Sequence, residues 1–325
     1  MPGSMTDTDA ETLGIETLGI EVWRGCVSTW ECDEMGHMNV RYYVARAMEG
    51  LVGLAAALGM PQAFSPYANA TLVVREQHIR FLREARPGAA LAMRGCVLDM
   101  GEHEARLLLV LFHASGEPAA SFQTVVAHVT AGDDPRPFAW PRQAQELAEG
   151  LTAQVPSYAA ARSVSLEPFT SQASLARADA LGLIPISGGA FGGQDCDVFG
   201  RMRPEQFIGR VSDGIATLAS RTRAVILESA EPRPQRIGGA VLEYRLIHLD
   251  WPRAGDRFVV RSGMSGVEDR TQRLVHWMLD PHSGKAWGTS EAVAVTLDLD
   301  TRKIVTASAA ARASLSERVI AGLTL

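Results

Sequence analysis

The chain has 325 residues, of which 46% are hydrophobic and 21% charged, and its formal net charge is −6. This composition is typical of a folded globular protein, and it excludes disordered, collagen-like and coiled-coil chains. The length suggests two domains or one large one. The acidic balance argues against a protein whose main task is to cover nucleic acid, so an anionic ligand would need a local basic patch.

The cysteine pattern and the absence of targeting signals indicate the compartment. The four cysteines include no C-x-x-C pair, so the sequence predicts neither a zinc or redox site nor a disulfide framework. We expect a reducing cytoplasm. The first residues lack the basic and apolar regions of a signal peptide. The longest apolar stretch, near residues 44–60, is too short and too charged to span a membrane.

A long internal repeat determines the predicted architecture. Residues 32–38 and 196–202 share the pattern C-D-x-x-G-x-M at an offset of 196 − 32 = 164. The matches continue to Glu76 and Glu243, where the offset is 243 − 76 = 167, because loops differ slightly in length. Collinear matches over so long a stretch indicate two copies of one unit.

Each copy is predicted to contain one strand, a long buried helix and four further strands. In the first copy, a strand at 20–30 precedes a helix at 40–58, and strands follow at 71–82, 89–100, 105–114 and 119–130. In the second copy, a helix from Pro204 to about residue 223 precedes strands at 239–249, 256–266, 272–279 and 286–297. Short connections imply antiparallel pairs. The predicted fold class is α+β, with an antiparallel sheet curled around one apolar helix in each copy.

A proline-rich segment, 133–186, separates the copies and is predicted to contain helices at 142–153 and 172–181. A further helix at 309–322 closes the second copy. Residues 11–15 are repeated directly as 16–20, which suggests a flexible leader. The predicted organisation is a leader at 1–18, a first domain at 19–155, a linker at 156–185 and a second domain at 186–325.

One motif, Asp33-x-x-Gly36-His37-x-Asn39-x-x-x-Tyr43, lies between the first strand and the first helix. It resembles the signature of the 4-hydroxybenzoyl-CoA-type thioesterases and is similar to the Asp/His/Asn loop of the acyl-ACP thioesterases. With the repeat, it makes the chain resemble a double-hotdog thioesterase, in which two tandem antiparallel sheets each wrap around a long central helix. The resemblance implies hydrolysis of an acyl-CoA or acyl-carrier-protein thioester without a metal or organic cofactor.

The motif residues suit thioester hydrolysis, which needs a base or nucleophile and donors for the developing oxyanion. Asp33 is a candidate base or nucleophile, or only a turn residue. The first-turn amides near Val40, at the positive end of the helix dipole, are candidate donors. His37 could position the ligand, transfer a proton or pack beneath the helix. Asn39 could orient the carbonyl besides capping the helix. The family often carries a second asparagine at the position of Val40.

Three further side chains have competing interpretations. Tyr43 either lines a substrate pocket or packs in the core. Glu49 lies about 15 Å along the helix from its start, too far to act at that helix terminus. It could serve the site of the other copy, but we expect a structural pairing with an arginine such as Arg46. Glu76 loosely resembles a catalytic glutamate of plant acyl-ACP thioesterases, although its counterpart Glu243 suggests a role in the fold.

The second copy alters the motif. It keeps Asp197 but carries Arg201, Arg203 and Phe207 where the first copy has its histidine, asparagine and tyrosine. We therefore expect one working site per chain. Arg201 and Arg203 either hold phosphates of coenzyme A or of a carrier arm, or belong to a solvated basic loop.

Two other functions stay compatible with the sequence. A hotdog hydratase or dehydratase would typically carry a His-Phe-Pro-type loop or an Asp-x-Asn-x-x-His motif, and neither is found at the first motif. A non-catalytic acyl-binding protein would give the motif residues no joint purpose. The expected partners are an acyl-CoA or acyl-carrier-protein substrate and further copies of the chain in a homodimer or larger assembly, with neither nucleic acid nor membrane.

Overall fold

The computed structural model describes residues 18–230 and 233–325, so the predicted leader lies outside the described residues except for Leu18. The chain divides into two compact units. Of the described residues, the first contains 18–74 together with 81–160, and the second contains 75–80 together with 161–230 and 233–325. The domain and linker limits drawn from the sequence stay predictions.

The first unit is built on an antiparallel sheet and one long helix. In chain order its elements are β1 (Ile20–Cys26), α1 (Val40–Ala57), β2 (Ala70–Phe81), β3 (Ala90–Met100), β4 (Glu104–His113), β5 (Pro118–Thr130) and α2 (Arg142–Glu149). The strand order is β1-β3-β4-β5-β2. The pairs β1–β3, β3–β4 and β4–β5 are antiparallel. The middle of β2 belongs to the second unit.

Helix α1 is buried because its sequence is apolar on most sides. Its cap is Asn39, whose side-chain oxygen accepts the backbone N–H of Arg41 at 3.0 Å. The helix packs on β1, β3 and β4, and Val44, Leu51 and Leu54 are at most 1% exposed. Burying each such side chain stabilises the fold by about 1.5–3 kcal/mol.

The other face of the same sheet is also covered. Leu108, Val110 and Phe112 alternate along β4 and cluster with Leu18 and Ala159, all of them buried. Successive residues of a strand point to opposite faces. The unbroken apolar sequence of β4 therefore follows from burial on both sides.

The second unit repeats the arrangement with a different helix. In chain order its elements are α3 (Leu175–Ala180), β6 (Ile184–Ala190), α4 (Glu205–Gly214), α5 (Ala216–Ser229), β7 (Ile237–His248), β8 (Arg257–Val267), β9 (Gln272–Leu279), β10 (Ala286–Asp298) and α6 (Ala309–Ser316). The strand order is β7-β10-β9-β8-β6, and all these pairs are antiparallel. Residues 76–80 of β2 pair antiparallel with β7, so that Glu76 lies opposite Ile247.

The structure shortens the helices predicted at 142–153, 172–181 and 309–322, changes the first strand and the helix after Pro204, and leaves the remaining strand limits close to expectation. The first strand ends at Cys26, and a short 3-10 turn, Thr29–Glu31, follows it. That turn forms because the Glu31 carboxylate accepts the N–H of Ser28 at 2.8 Å. The helix predicted from Pro204 to about 223 is divided into two segments, Glu205–Gly214 and Ala216–Ser229, joined through Ile215, whose φ of −60° and ψ of −27° are helical. Glycine is a poor helix former, and the interruption follows it.

No helix in the described part of the chain combines the length and the apolar character that crossing a bilayer requires.

Close approach of helix and strand depends on glycine in both units. A Cβ atom at Gly53 would lie 2.3 Å from the carbonyl oxygen of Val22 in β1. A Cβ atom at Gly214 would lie 2.1 Å from the carbonyl oxygen of Ile186 in β6. Real side chains do not come so close to backbone, so each helix sits against its first strand only because the side chain is absent.

We expect Gly53→Ala to lower the free energy of unfolding by about 1–3 kcal/mol, because the helix must move away from β1 to admit the methyl group. Urea denaturation would measure it. Gly150→Ala is the matched control, since its Cβ would lie 3.6 Å from the Leu147 carbonyl oxygen, an ordinary contact. An equal loss in both variants would contradict this explanation.

Candidate functional site

The first motif forms a tight turn between the 3-10 turn and α1. Cys32 and Met38 pair in an isolated antiparallel bridge. The N–H of Asp33 donates to the carbonyl of His37 at 2.8 Å. Gly36 has a φ of +75°, a conformation that glycine adopts without strain. The turn therefore brings the backbones of Asp33 and His37 together.

The Asp33 carboxylate uses one oxygen to hold this turn. Its Oδ1 accepts the N–H of Met35 at 2.9 Å and that of His37 at 3.3 Å. Its Oδ2 has no hydrogen-bond partner among residues 18–230 and 233–325. The side chain is half-buried. Asp33 is thus a turn residue through one oxygen and can act on a ligand through the other.

The imidazole of His37 is held by a second carboxylate, Glu84. The His37 side chain is 6% exposed, and its Nε2 lies 3.1 Å from Oε2 of Glu84. The turn that carries Glu84 is fixed to the motif, because Met38 N–H donates to the Ala85 carbonyl at 2.8 Å and Ala85 N–H donates to the Tyr43 hydroxyl at 2.9 Å. Sequence reasoning missed Glu84, since only the fold brings residues 37 and 84 together.

Few backbone donors at the start of α1 stay available. Asn39 accepts the N–H of Arg41 through its side chain, at 3.0 Å, and that of Tyr42 through its carbonyl, at 2.9 Å. The N–H of Val40 has no hydrogen bond within the described residues. The group of first-turn donors expected from the sequence is therefore reduced to Val40.

Tyr43 and Glu49 are both engaged in the fold. Tyr43 is 4% exposed and meets Phe81 edge to face, with ring centroids 5.4 Å apart. Burial raises the pKa of Tyr43 to about 12, although the hydrogen bond from the Ala85 N–H by itself lowers this pKa. Glu49 accepts a hydrogen bond from Arg46 at 2.6 Å, so the pairing expected from the sequence is present.

The second motif forms the same turn, but its aspartate is paired with an arginine side chain. Oδ1 of Asp197 accepts the N–H groups of Phe199 and Arg201 at 2.9 and 3.0 Å. Its Oδ2 accepts from Nε and Nη2 of Arg201 at 3.1 and 3.0 Å. Arg201 is 4% exposed, so the solvated-loop interpretation is wrong for this residue. Nε of Arg203 lies 3.1 Å from Glu205. Both oxygens of Asp197 are thus occupied.

Glu76 forms a bidentate pair with an arginine on the neighbouring strand. Arg245 donates to its two oxygens from Nε at 2.9 Å and from Nη2 at 3.1 Å. Arg245 also donates to the carbonyls of Ser165 at 2.7 Å and Glu167 at 3.0 Å. Its side chain is 3% exposed. The pair fastens the segment after residue 160 to the sheet.

A repeat-related pair lies beside it, because 76 + 167 = 243 and 78 + 167 = 245. Nε2 of His78 lies 2.8 Å from Oε1 of Glu243. Glu243 also accepts the N–H groups of Arg162 and Ser163, each at 2.8 Å. Burial would raise the pKa of Glu243, but the hydrogen bonds from His78 and the two amides outweigh it, so its pKa lies below the usual value.

Two cavities of about 690 Å³ each lie in the second unit. One is lined by Arg245, by residues 163–170 and by β8–β10. The other is lined by α5, β8, Ile184 and Ile320. Neither is lined by a residue of the first motif. Within the part of the chain that is described, His, Cys, Asp and Glu side chains form no group of three that could hold a metal ion.

Comparison with protein families gives one match. The sequence model of the thioesterase-like superfamily matches residues 27–155 and 192–315. Each segment contains one copy of the motif. No curated protein sequence matches the chain significantly.

Solved structures with a similar fold have low sequence identity. The chain is similar to a proposed oleoyl thioesterase from Lactobacillus plantarum, with a TM-score of 0.62 and 10% identity over 86% of this chain and 98% of that one. The 12:0-ACP thioesterase from Umbellularia californica gives 0.64 and 10% over 89% and 97%. An acyl-ACP thioesterase from Bacteroides thetaiotaomicron gives 0.58 and 11% over 84% and 96%. These likenesses show a shared fold.

We expect Glu76→Gln to lower the free energy of unfolding by about 3–5 kcal/mol, because it leaves the buried Arg245 guanidinium without a counter-charge. Denaturant titration would measure it. Glu291→Gln is the matched control, since it breaks a pair with Arg273, whose side chain is 39% exposed. We expect the control to lose at most about 1 kcal/mol. A stable Glu76→Gln protein that has lost its activity would instead support the catalytic interpretation.

Proposed function

The chain belongs to the thioesterase-like superfamily, and we propose that it hydrolyses acyl thioesters of coenzyme A, or of an acyl-carrier protein, to free acid and thiol. The observation that carries the proposal is the Asp33 carboxylate, whose Oδ1 fixes the turn before α1 while Oδ2 is left for chemistry. The proposal requires neither a metal nor an organic cofactor.

Two routes use Asp33. As a base, it takes a proton from water while the water oxygen bonds to the thioester carbon. As a nucleophile, its own oxygen bonds to that carbon and expels the thiolate, and water then splits the resulting mixed anhydride into the free acid and the Asp33 carboxylate. After a single turnover in ¹⁸O-labelled water, an acid that carries an unlabelled Asp33 oxygen identifies the nucleophilic route with water attacking the Asp33 carbonyl, whereas a labelled acid arises from the base route or from water attacking the acyl carbonyl.

Both routes place negative charge on the thioester oxygen, which needs a preorganised donor. The free N–H of Val40 at the N-terminus of α1 would supply it, with the helix dipole adding to the effect. Asn39 would help to orient the carbonyl. His37, held by Glu84, would position the ester or give a proton to the thiolate when the carbon–sulfur bond breaks. The position of Asp33, His37, Asn39 and Val40 on one turn and the start of the helix that follows it supports these roles.

We propose one working site per chain. In the second motif, the Asp197 carboxylate is neutralised by Arg201, which leaves no oxygen for a base or nucleophile. Arg203, 42% exposed at its side chain, stays a candidate for a phosphate of the substrate, while Arg201 is committed to Asp197. Tyr43 could contact a substrate only by an edge of its buried ring.

The finer fold assignment and setting belong to the same proposal. We infer two tandem hotdog domains, with α1 as the central helix of one and α4 with α5 as that of the other. The expected setting is cytoplasmic, as a homodimer or larger assembly.

Asp33→Asn should reduce thiol release by about 10²–10⁴-fold, because it removes the base or nucleophile and keeps an oxygen to hold the turn. A panel of short, long, branched and aromatic acyl-CoAs, followed with a thiol-reactive dye, would measure it and identify the substrate. Asp197→Asn is the matched control in the second motif, and we expect its turnover per folded molecule to stay near wild type.

Equal turnover in wild type and folded Asp33→Asn would place the chemistry elsewhere. If no coenzyme A ester reacts, esters of a carrier protein are the next substrates. Failure on both classes would contradict the hydrolase and favour a non-catalytic acyl-binding protein.

Glu84→Gln should lower kcat by about 10–100-fold with little change in KM, because His37 loses the carboxylate that orients its ring. Steady-state kinetics on the best substrate would measure both constants, and Glu84→Asp should recover part of the loss. Glu117→Gln is the control, since Glu117 pairs with the adjacent Arg83 at 2.6 Å and its side chain is 47% exposed. Unchanged kcat in Glu84→Gln would remove His37 and its partner from the mechanism.

A further inference from the structure

Several buried polar side chains of the second unit have atoms without a hydrogen-bond partner. Gln77 and Gln206 are 0% exposed and His248 is 3% exposed. Both amide atoms of each glutamine and both ring nitrogens of the histidine are unpaired. Native proteins rarely leave such groups unsatisfied, because the lost hydrogen bonds to water are not replaced. A group of them indicates a polar partner that the chain itself does not provide.

Strand register places two of these side chains on one face. Gln77 lies opposite Leu246 in the β2–β7 pair, and His248 follows Leu246 by two residues on the same side. Arg75 precedes Gln77 by two residues and shares this face as well. The pKa of His248 is lowered mainly by burial and secondly by the positive charge of Arg75, so this charge acts on the imidazole.

Two aromatic rings contact the imidazole of His248. The Trp251 ring stacks on His248 with centroids 4.5 Å apart, and its buried Nε1–H is unpaired. Phe207 meets His248 edge-on at 6.2 Å, and Gln206 precedes it in the first turn of α4. We call Arg75, Gln77, His248 and Trp251 the polar pocket.

The polar pocket has one positive charge and a surplus of donors. The pKa of His248 is lowered to about 3, so its ring is neutral at pH 7 and offers one donor and one acceptor. Arg75 is half-buried and has no ion-pair partner among the residues described. Trp251 can only donate. The nearby acids of the second motif are already paired, Asp197 with Arg201 and Glu205 with Arg203.

The pocket lies next to the altered second motif. Met202 N–H donates to the Pro252 carbonyl at 2.8 Å, and Pro252 follows Trp251. The offset of 167 makes Trp251 the counterpart of Glu84, because 251 − 167 = 84. Where the first copy has a carboxylate that holds a histidine, the second copy has an N–H donor. This exchange removes the protein's own carboxylate from the position and supplies an N–H group that can donate to the carboxylate of a ligand.

We propose that the polar pocket binds a carboxylate and does not hydrolyse esters. Arg75 would neutralise the anion, and the N–H groups of Gln77 and Trp251 would donate to its oxygens. One free cation suits a monoanion better than the dianion of a phosphate ester. That the bound acid belongs to the product class rests on the proposed function, but carboxylate binding itself does not.

The test follows the indole N–H of Trp251 by NMR in protein labelled with ¹⁵N-tryptophan, with the signal assigned by Trp251→Phe. Butyrate, titrated at constant ionic strength and pH 7, should displace this signal saturably. Butyramide and inorganic phosphate should leave it in place. Arg75→Gln should weaken butyrate binding at least about tenfold, the effect of losing one charge-assisted contact. Arg236→Gln, at a side chain 69% exposed, should bind as wild type.

A Trp251 signal that stays in place, responds equally to butyramide, responds to phosphate instead, or moves equally in Arg75→Gln would overturn the proposal. Asp33→Asn should retain the butyrate response, because the first motif is not part of the pocket. Loss of turnover with an intact butyrate response, or the reverse, therefore separates this inference from the proposed hydrolase.

Discussion

One carboxylate oxygen organises the start of the long helix in each repeat. Oδ1 of Asp33 and of Asp197 accepts the N–H groups two and four residues further on. The turn thus uses one oxygen of each carboxylate, and the residue four positions later determines whether the other oxygen is paired. A histidine leaves Oδ2 of Asp33 free, whereas Arg201 closes Oδ2 of Asp197. The two copies therefore differ by one ionic contact within a shared turn, because Arg201 pairs with Oδ2 of Asp197 and the first copy has a histidine at the equivalent position.

Much of the architecture could be predicted because it is encoded locally and encoded twice. Apolar runs bounded by glycine and proline placed the strands close to their limits, and the repeat supplied an independent check. The 3-10 turn after β1 could not be predicted, because it depends on a side chain, Glu31, capping the backbone three residues earlier. The interruption at Ile215 could not be predicted either, because the apolar helical pattern of the sequence continues across it.

The candidate site divides in the same way. Asp33, His37 and Asn39 fall within seven residues, so their proximity could be expected from spacing alone. Glu84 has no local signal, because its partner is 84 − 37 = 47 residues away. Glu76 loosely resembled a catalytic glutamate, with a role in the fold as the alternative, and its pairing with Arg245 depends on the sheet register, which the sequence does not give. The polar pocket escaped notice because an unpaired buried glutamine or histidine resembles any other in a sequence.

The pairs Glu76–Arg245 and Glu243–His78 are the same interaction at repeat-related positions, with a different nitrogen-bearing side chain in each copy. If one gene encoded a single repeat, positions 78 and 245 would be the same codon, and any change there would alter both pairs together. Joining the copies in one chain removes that coupling. Each position can then change independently of the other. The same independence would let one motif loop keep its chemistry while the other acquired an arginine, without either change being tested in both places.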